Sequence, residues 1–188
     1  MQEKNISAFC EAIMDKIKGK TREDVSLAVN APKLNVKINP EQLERILLHL
    51  LENAAEYTPA GGKIWLDFKK RGAHTHQFIV SDTGCGVPEE QRENIFKPFT
   101  EVKDLTLGDG LGLPICSLIA TKMNGSLTLD TGYSKGARFV LELHANGRLV
   151  QNRVEFSSKR ERNKKLSKPA LTAPHRFSET PCSSALQR

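Results

Sequence analysis

The residues best suited to chemistry are glycines, an amide and a strand-end carboxylate. LGDGLGLPI, residues 107–115, holds three glycines in five positions and then enters an apolar helical pattern. Glycine permits a tight backbone path, and the free N–H groups and dipole of the helix beyond it favour anionic oxygen. That combination suits phosphate. The stretch is not a Walker A loop, because it lacks the Gly-Lys-Ser or Gly-Lys-Thr in which such a loop ends. A protein-kinase glycine loop lies early and between strands, whereas this one lies late and follows an irregular segment. A dinucleotide fingerprint needs GxGxxG within a strand-helix-strand unit; here the spacing is GxGxG, although Asp130 stands at a tempting distance downstream. Taken alone, the stretch also reads as a glycine-rich helix cap or hinge.

A second constellation lies on a helix expected over residues 39–58. Leu43, Ile46, Leu47, Leu50, Leu51 and Ala54 form its apolar stripe, while His49, Asn53, Glu56 and Tyr57 gather on another side at steps of four, three and one. A solvated second face ordinarily carries Lys and Glu. This one offers an imidazole, an amide and a phenol, which coordinate, donate or stack. A third is DTGCG, residues 82–86, at the end of an alternating strand. There Asp82 is placed to accept from an exocyclic amine, and glycines let a flat base lie against the backbone. A strand-end DxG is also an ordinary turn. His74 and His76 share a strand face; without a third ligand nearby they read as exposed strand residues rather than a metal site.

These groups need elements to position them. Residues 7–18 carry Phe9, Ile13 and Ile17 at helical spacing, and residues 25–29 and 35–38 alternate as short strands around Ala31 and Pro32. NPEQ at 39–42 supplies an N-cap, a proline at the first helical position and a Gln for a capping box. Pro59 and the glycine pair stop that helix. KIWLDF and HQFIVSD flank RGAH as an antiparallel pair, Pro88 begins a short helix through Phe96, residues 113–123 are helical, and SLTLD with ARFVLEL closes the set as a hairpin. Helices and mostly antiparallel strands in clusters predict an α+β, two-layer α/β sandwich with one sheet face covered.

The chain has 188 residues, enough for one domain with a core and a remainder. Its formal charge of +6 is unevenly spread: up to Gly147 there are 18 basic and 19 acidic residues, and after it 10 and 3. The body therefore has no electrostatic claim on nucleic acid. After Leu143 the periodicity fails in a segment rich in Ser, Pro, Lys and Arg, so residues 1–144 are expected to form the domain and 145–188 a basic, disordered tail. Cys10, Cys85, Cys116 and Cys182 lack a CxxC spacing and suit a reducing compartment. No run approaches the ~20 apolar residues of a membrane span, so this piece is expected to be cytoplasmic and without membrane contact, while a parent protein is free to carry an anchor.

From about residue 39 to 143 the chain resembles the catalytic ATP-binding domain of sensor histidine kinases, in the GHKL ATPase superfamily. HLLENAAEYTP looks like the N box, DTGCGV the G1 box, IFKPF the F box and GDGLGLPI the G2 box, in that order. The resemblance implies a Bergerat-type sandwich holding ATP and Mg²⁺ between the N-box helix and a lid near residues 97–110. It implies that Asn53 ligates Mg²⁺, Asp82 accepts from the adenine amino group and Tyr57 packs beside the base. Gly84 and Gly86 make room for the base, Gly108, Gly110, Leu111 and Gly112 offer backbone to the phosphates, and Phe96 and Phe99 anchor the lid.

Several positions depart from that family's pattern. His49 stands where Asn is usual, Glu56 where Lys is usual, and Asp109 where a small hydroxyl residue is usual. Glu56 and Asp109 set two negative charges near the nucleotide, which opposes phosphate binding unless Mg²⁺ or Lys103 compensates. Lys103 is the basic residue inside the lid, a phosphate contact or a solvated lysine. His49 reads as a phosphate hydrogen-bonding group in place of Asn, in preference to a base. None of His49, His74, His76, His144 and His175 lies in an HExxxP-like context. The acceptor histidine is therefore expected on a separate dimerisation domain of a homodimeric parent, with a response-regulator receiver domain as the next partner. Cys85 reads as a small filler first.

Overall fold

The spine of the structure is the helix announced by NPEQ. In chain order the elements are β1 (Gln2–Asn5), α1 (Ile6–Lys18), β2 (Ser26–Asn30), β3 (Asn35–Ile38), α2 (Pro40–Tyr57), β4 (Lys63–Arg71), β5 (Thr75–Asp82), α3 (Glu89–Arg92), α4 (Gly112–Lys122), β6 (Gly125–Leu129) and β7 (Arg138–His144). The computed structural model describes residues 1–97 and 112–144, all within the first of two units, residues 1–150. The tail expected over 145–188, and with it Cys182, lies outside the described residues.

Asn39 caps α2 by accepting from the Gln42 N–H at 3.3 Å, and Pro40 follows at the first helical position. The stripe Leu43, Ile46, Leu47, Leu50, Leu51 and Ala54 is buried, as its spacing predicts. In α1 the buried line is Ile6, Cys10, Ile13, Met14 and Ile17, while Phe9 sits at its edge. The helix opens one residue earlier than its pattern suggests, because Asn5 Oδ1 accepts from Ala8 N.

Five strands form one sheet in the order β2-β4-β5-β7-β6. β2 runs parallel to β4, and the remaining pairs are antiparallel. Alternation sends Ile64, Leu66 and Phe68 of β4 and His76, Phe78, Val80 and Asp82 of β5 to the face that α1, α2 and α4 cover. The result is the two-layer α+β sandwich with helices on one face. On the other face polar side chains pair with one another: Gln77 Nε2 donates to Glu142 at 2.7 Å and Asn30 Nδ2 to Asp67 at 2.7 Å.

The two short strands around Pro32 are present but take other partners: β2 joins β4, and β3 pairs with β1, whose four exposed polar residues carry no apolar alternation to signal a strand. Two local expectations need correction. The helix expected from Pro88 to Phe96 stops at Arg92, after which turns bonded from Ile95 N to Gln91 O and from Lys97 N to Asn94 O carry the chain on. His74 and His76 do not share an exposed face. His74 sits in the turn between β4 and β5, while His76 is buried and stacked on Phe68 at 5.7 Å.

Burial, with the Lys70 and His74 charges behind it, lowers the His76 pKa from 6.5, and its Nδ1 is buried with no hydrogen-bond partner among the described residues. A histidine whose folded pKa is depressed takes up more protons unfolded than folded, so its effect on stability falls as pH drops below about 6.5. Half-buried His49 is shifted the same way. Urea unfolding between about pH 8 and pH 5 is expected to show stability declining on the acid side, and His76→Leu to flatten part of that decline. An unchanged slope in the variant would locate the dependence elsewhere.

Candidate functional site

The site grows from the end of β5. Val80 and Asp82 point to the helix side of the sheet, so the strand delivers its last carboxylate under the C-terminal half of α2. Asp82 is 3% exposed. Its Oδ1 accepts from Gly84 N at 2.8 Å and from Ala137 N at 3.0 Å, while neither bond takes Oδ2. Burial raises the Asp82 pKa, and the two backbone N–H groups work against that rise by favouring the ionised form. The outcome is a desolvated acceptor with one oxygen held and the other left to a ligand.

A cavity of about 320 Å³ opens over this carboxylate. Asn53, Ala54 and Tyr57 of α2 form one wall and the segment Cys85–Val87 another, with Gln91 and Ile95 beyond. Leu113 of α4 and Ala137 and Phe139 of β7 close the apolar side. Tyr57 is half exposed at the rim, where burial of its inner edge and then the Glu56 and Cys85 charges raise its pKa. A mostly apolar slot with a carboxylate on its floor and an amide on its wall suits a flat heteroaromatic ring bearing an amine.

Two glycines shape that slot. Gly86 has φ +73°, a conformation side chains disfavour, and it turns the chain from β5 toward α3. A Cβ on Gly84 would stand 2.5 Å from the Tyr57 carbonyl and 2.9 Å from Asp82 Oδ1, so this glycine lets the strand end touch the helix end. Phe96 meets Phe139, a wall residue of the slot, edge to face at 6.3 Å.

His49 lies one turn before Asn53 and outside the slot itself. Asn53 Nδ2 and His49 Nε2 are 3.4 Å apart, and burial lowers the His49 pKa against the opposing pull of Glu52. The neutral ring therefore accepts from the amide, which leaves Asn53 Oδ1 for a hard cation. The His49 ring also lies against Gly112, at which any Cβ would run into it. The start of α4 is thereby fixed to the polar side of α2. Of the residues singled out in the sequence, His49, Asn53, Tyr57, Asp82, Gly84, Gly86 and Gly112 come together here. Lys103, Gly108, Asp109, Gly110, Leu111 and Phe99 lie outside the described residues. Glu56 is exposed. Sequence reasoning missed Ala137, Phe139, Gln91 and Ile95; the alternation of β7 and the glycine ahead of Ala137 were the available signals.

Residues 38–147 match the family model described as histidine kinase-, DNA gyrase B- and HSP90-like ATPase. The chain belongs to this family. Within it the likeness is to histidine kinases: the adaptive-response sensory kinase SasA of a Synechococcus species is 33% identical over 144 residues, covering 73% of this chain and 38% of that kinase. The chain thus spans under two fifths of that relative. The solved nucleotide-free catalytic domain of histidine kinase ThkA superposes with a TM-score of 0.66 at 27% identity, covering 77% of this chain and 95% of that domain. Full-length ShkA, solved in complex with AMPPNP, gives 0.63 at 26% identity, covering 74% of this chain and 30% of that one. This ATPase-family domain is accordingly the catalytic domain type of histidine kinases. Among the described residues no helix is long and apolar enough to cross a membrane, and no group of three His, Cys, Asp or Glu is placed to hold a metal.

The close approach at Gly84 yields a test. Gly84→Ala forces a methyl against the Tyr57 carbonyl and is expected to cost about 1–3 kcal/mol as an overpacked contact, read as a lowered Tm. Gly61→Ala meets no atom within 4 Å but stands at φ +73°, so it serves as a control for backbone strain alone.

Proposed function

We propose that this chain is the ATP-binding part of a sensor histidine kinase, positioning ATP and Mg²⁺ so that the γ-phosphoryl group passes to a histidine on a separate dimerisation domain. The observation that carries the reading is the buried Asp82 carboxylate, one oxygen fixed by backbone N–H groups, on the floor of an apolar slot beside the Asn53 amide. In this reading Asp82 accepts from the adenine amine, Tyr57 lies beside the ring, and Gly84 and Gly86 let the ring approach the backbone. Asn53 Oδ1 would hold Mg²⁺, whose charge would offset that of the phosphate oxygens. His49 holds the Asn53 amide and hydrogen-bonds a phosphate. Lys103, Gly108, Gly110 and Leu111 with Gly112 complete the phosphate contacts from the lid.

Phosphoryl transfer asks a protein chiefly for position and charge. The attacking imidazole nitrogen belongs to the other domain; as it bonds to phosphorus, the bond to the leaving ADP oxygen breaks. This chain supplies alignment and keeps water away. The partner domain must reach the phosphate end of the slot, and α4 leaves that end with Ile115 40% and Leu118 57% exposed, one turn apart on its outer side. These two residues are the contact we assign to the histidine-bearing helices. A response-regulator receiver domain then takes the phosphoryl group from that histidine, in a homodimeric parent kinase located in the cytoplasm or anchored to a membrane. Residues 1–144 are the domain and 145–188 a basic tail outside it.

Calorimetric titration is the primary test. Wild type is expected to bind ATP in a Mg²⁺-dependent way, and Asn53→Ala to lose ~10-fold or more of that affinity, as loss of a metal-site group does. No Mg²⁺-dependent binding by wild type would overturn the reading. Because recognition needs the ionised carboxylate and burial raises its pKa, ATP affinity should fall with decreasing pH sooner than for an ordinary aspartate with pKa 3.8. Asp82→Asn should abolish that acid limb. Leu118→Glu is expected to leave ATP binding intact while abolishing label transfer to an added histidine-bearing domain; retained transfer would place the contact elsewhere.

A further inference from the structure

We propose that Tyr133 is a positioning residue for base recognition: its hydroxyl clamps the β6–β7 connection onto Asp82, and the clamp orients the carboxylate. The inference rests on the nucleotide reading above. Tyr133 does not line the slot, so it acts through Asp82.

Three hydrogen bonds join Asp82 to the connection. The Tyr133 hydroxyl donates to the Asp82 carbonyl at 2.8 Å, Ala137 N donates to Oδ1 at 3.0 Å, and Asp82 N donates to the Ala137 carbonyl at 3.0 Å. Gly136 makes the approach possible, since a Cβ there would stand 2.6 Å from Oδ1 and closer still to the Asp82 carbonyl. The Ala137 N–H is thus one of two donors that hold the carboxylate in its rotamer, and it arrives on a connection half of whose residues are exposed. Thr131, Gly132, Ser134 and Lys135 all face solvent. An exposed segment of this kind opens readily unless a side chain holds it.

Tyr133 is itself held on several sides. The Arg138 guanidinium lies 4.0 Å above its ring, and Trp65 meets it edge-on at 6.3 Å and 83°. Arg138 is tied in turn to Ser81 Oγ at 3.0 Å and to the Asp130 carboxylate at 3.5 Å. Ser81 immediately precedes Asp82. The hydroxyl therefore reaches the Asp82 carbonyl from a ring that the outer face of the sheet immobilises, while the carboxylate works on the opposite face. Side chains on the two faces of β5 serve one function: the outer face fixes the backbone that the inner face uses.

Such a residue acts on recognition of the exocyclic amine and leaves phosphate and metal contacts unchanged. The test is a titration of wild type and Tyr133→Phe with ATP and with purine riboside triphosphate, which lacks the exocyclic amine, both with Mg²⁺. Phe keeps the ring packing and removes one hydrogen bond, so ATP affinity is expected to fall ~3–10-fold, the range of a single lost bond, with affinity for the amine-free analogue unchanged. Tyr133→Phe added to Asp82→Asn should produce no further loss. Equal weakening toward both nucleotides, or unaltered preference for ATP, would overturn the role of Tyr133. If wild type itself fails to prefer ATP over the analogue, the assignment of Asp82 to the amine falls, and the Tyr133 proposal with it. Arg138→Gln, which frees the ring but retains the hydroxyl, provides a second variant: it should reduce the ATP preference in the same direction, and a full wild-type preference there would count against the clamp.

Discussion

The structure turns on holding a carboxylate out of water at the end of β5. Transferring a charged group from water into an apolar surround is expensive, and Asp82 meets that penalty with backbone N–H donors in direct contact. Donors of that kind require close approach. Gly84 must touch the end of α2, and Gly136 must lie on Asp82, so two chain segments carry glycine where a methyl would collide. The register of β7 against β5 follows from the same demand, since pairing Ser81 with Arg138 brings Ala137 to the Asp82 side chain.

α2 joins this end of β5 to the polar residues of the site. One stripe of the helix fills the core, while the adjoining stripe carries His49, Asn53 and Tyr57 at successive turns, the last two lining the slot. His49 links Asn53 to the start of α4 through its contacts with the amide and with Gly112. Asn53 and the start of α4 are therefore joined through one imidazole, without passing through the core.

Much of this was legible in the sequence because it is local. The period of α2, its cap and the identity of the residues on its second face are all encoded within eighteen residues. Asp82 was legible because a strand that alternates cleanly ends in a carboxylate followed by glycines. The unread parts depend on distant chain. β1 pairs through its backbone with side chains that are all polar, and β2 finds a parallel partner across α2. His76 looked like a surface residue until the sheet put Phe68 against it. Ala137, Phe139 and Tyr133 carry no short motif, and reach the site only because β7 pairs in the middle of the sheet.

That long-range pairing bears on how the protein is made. The partners that hold Asp82 lie 51 and 55 residues farther along the chain. During synthesis α1, α2 and the β4–β5 hairpin leave the ribosome with most of the core stripe in hand, but with the strand-end carboxylate lacking the Ala137 amide. Contacts of such separation form late, because loop closure must precede them. The setting of Asp82 is thus completed by the β6–β7 connection, and a nascent chain stopped before it carries the carboxylate with the Gly84 amide alone.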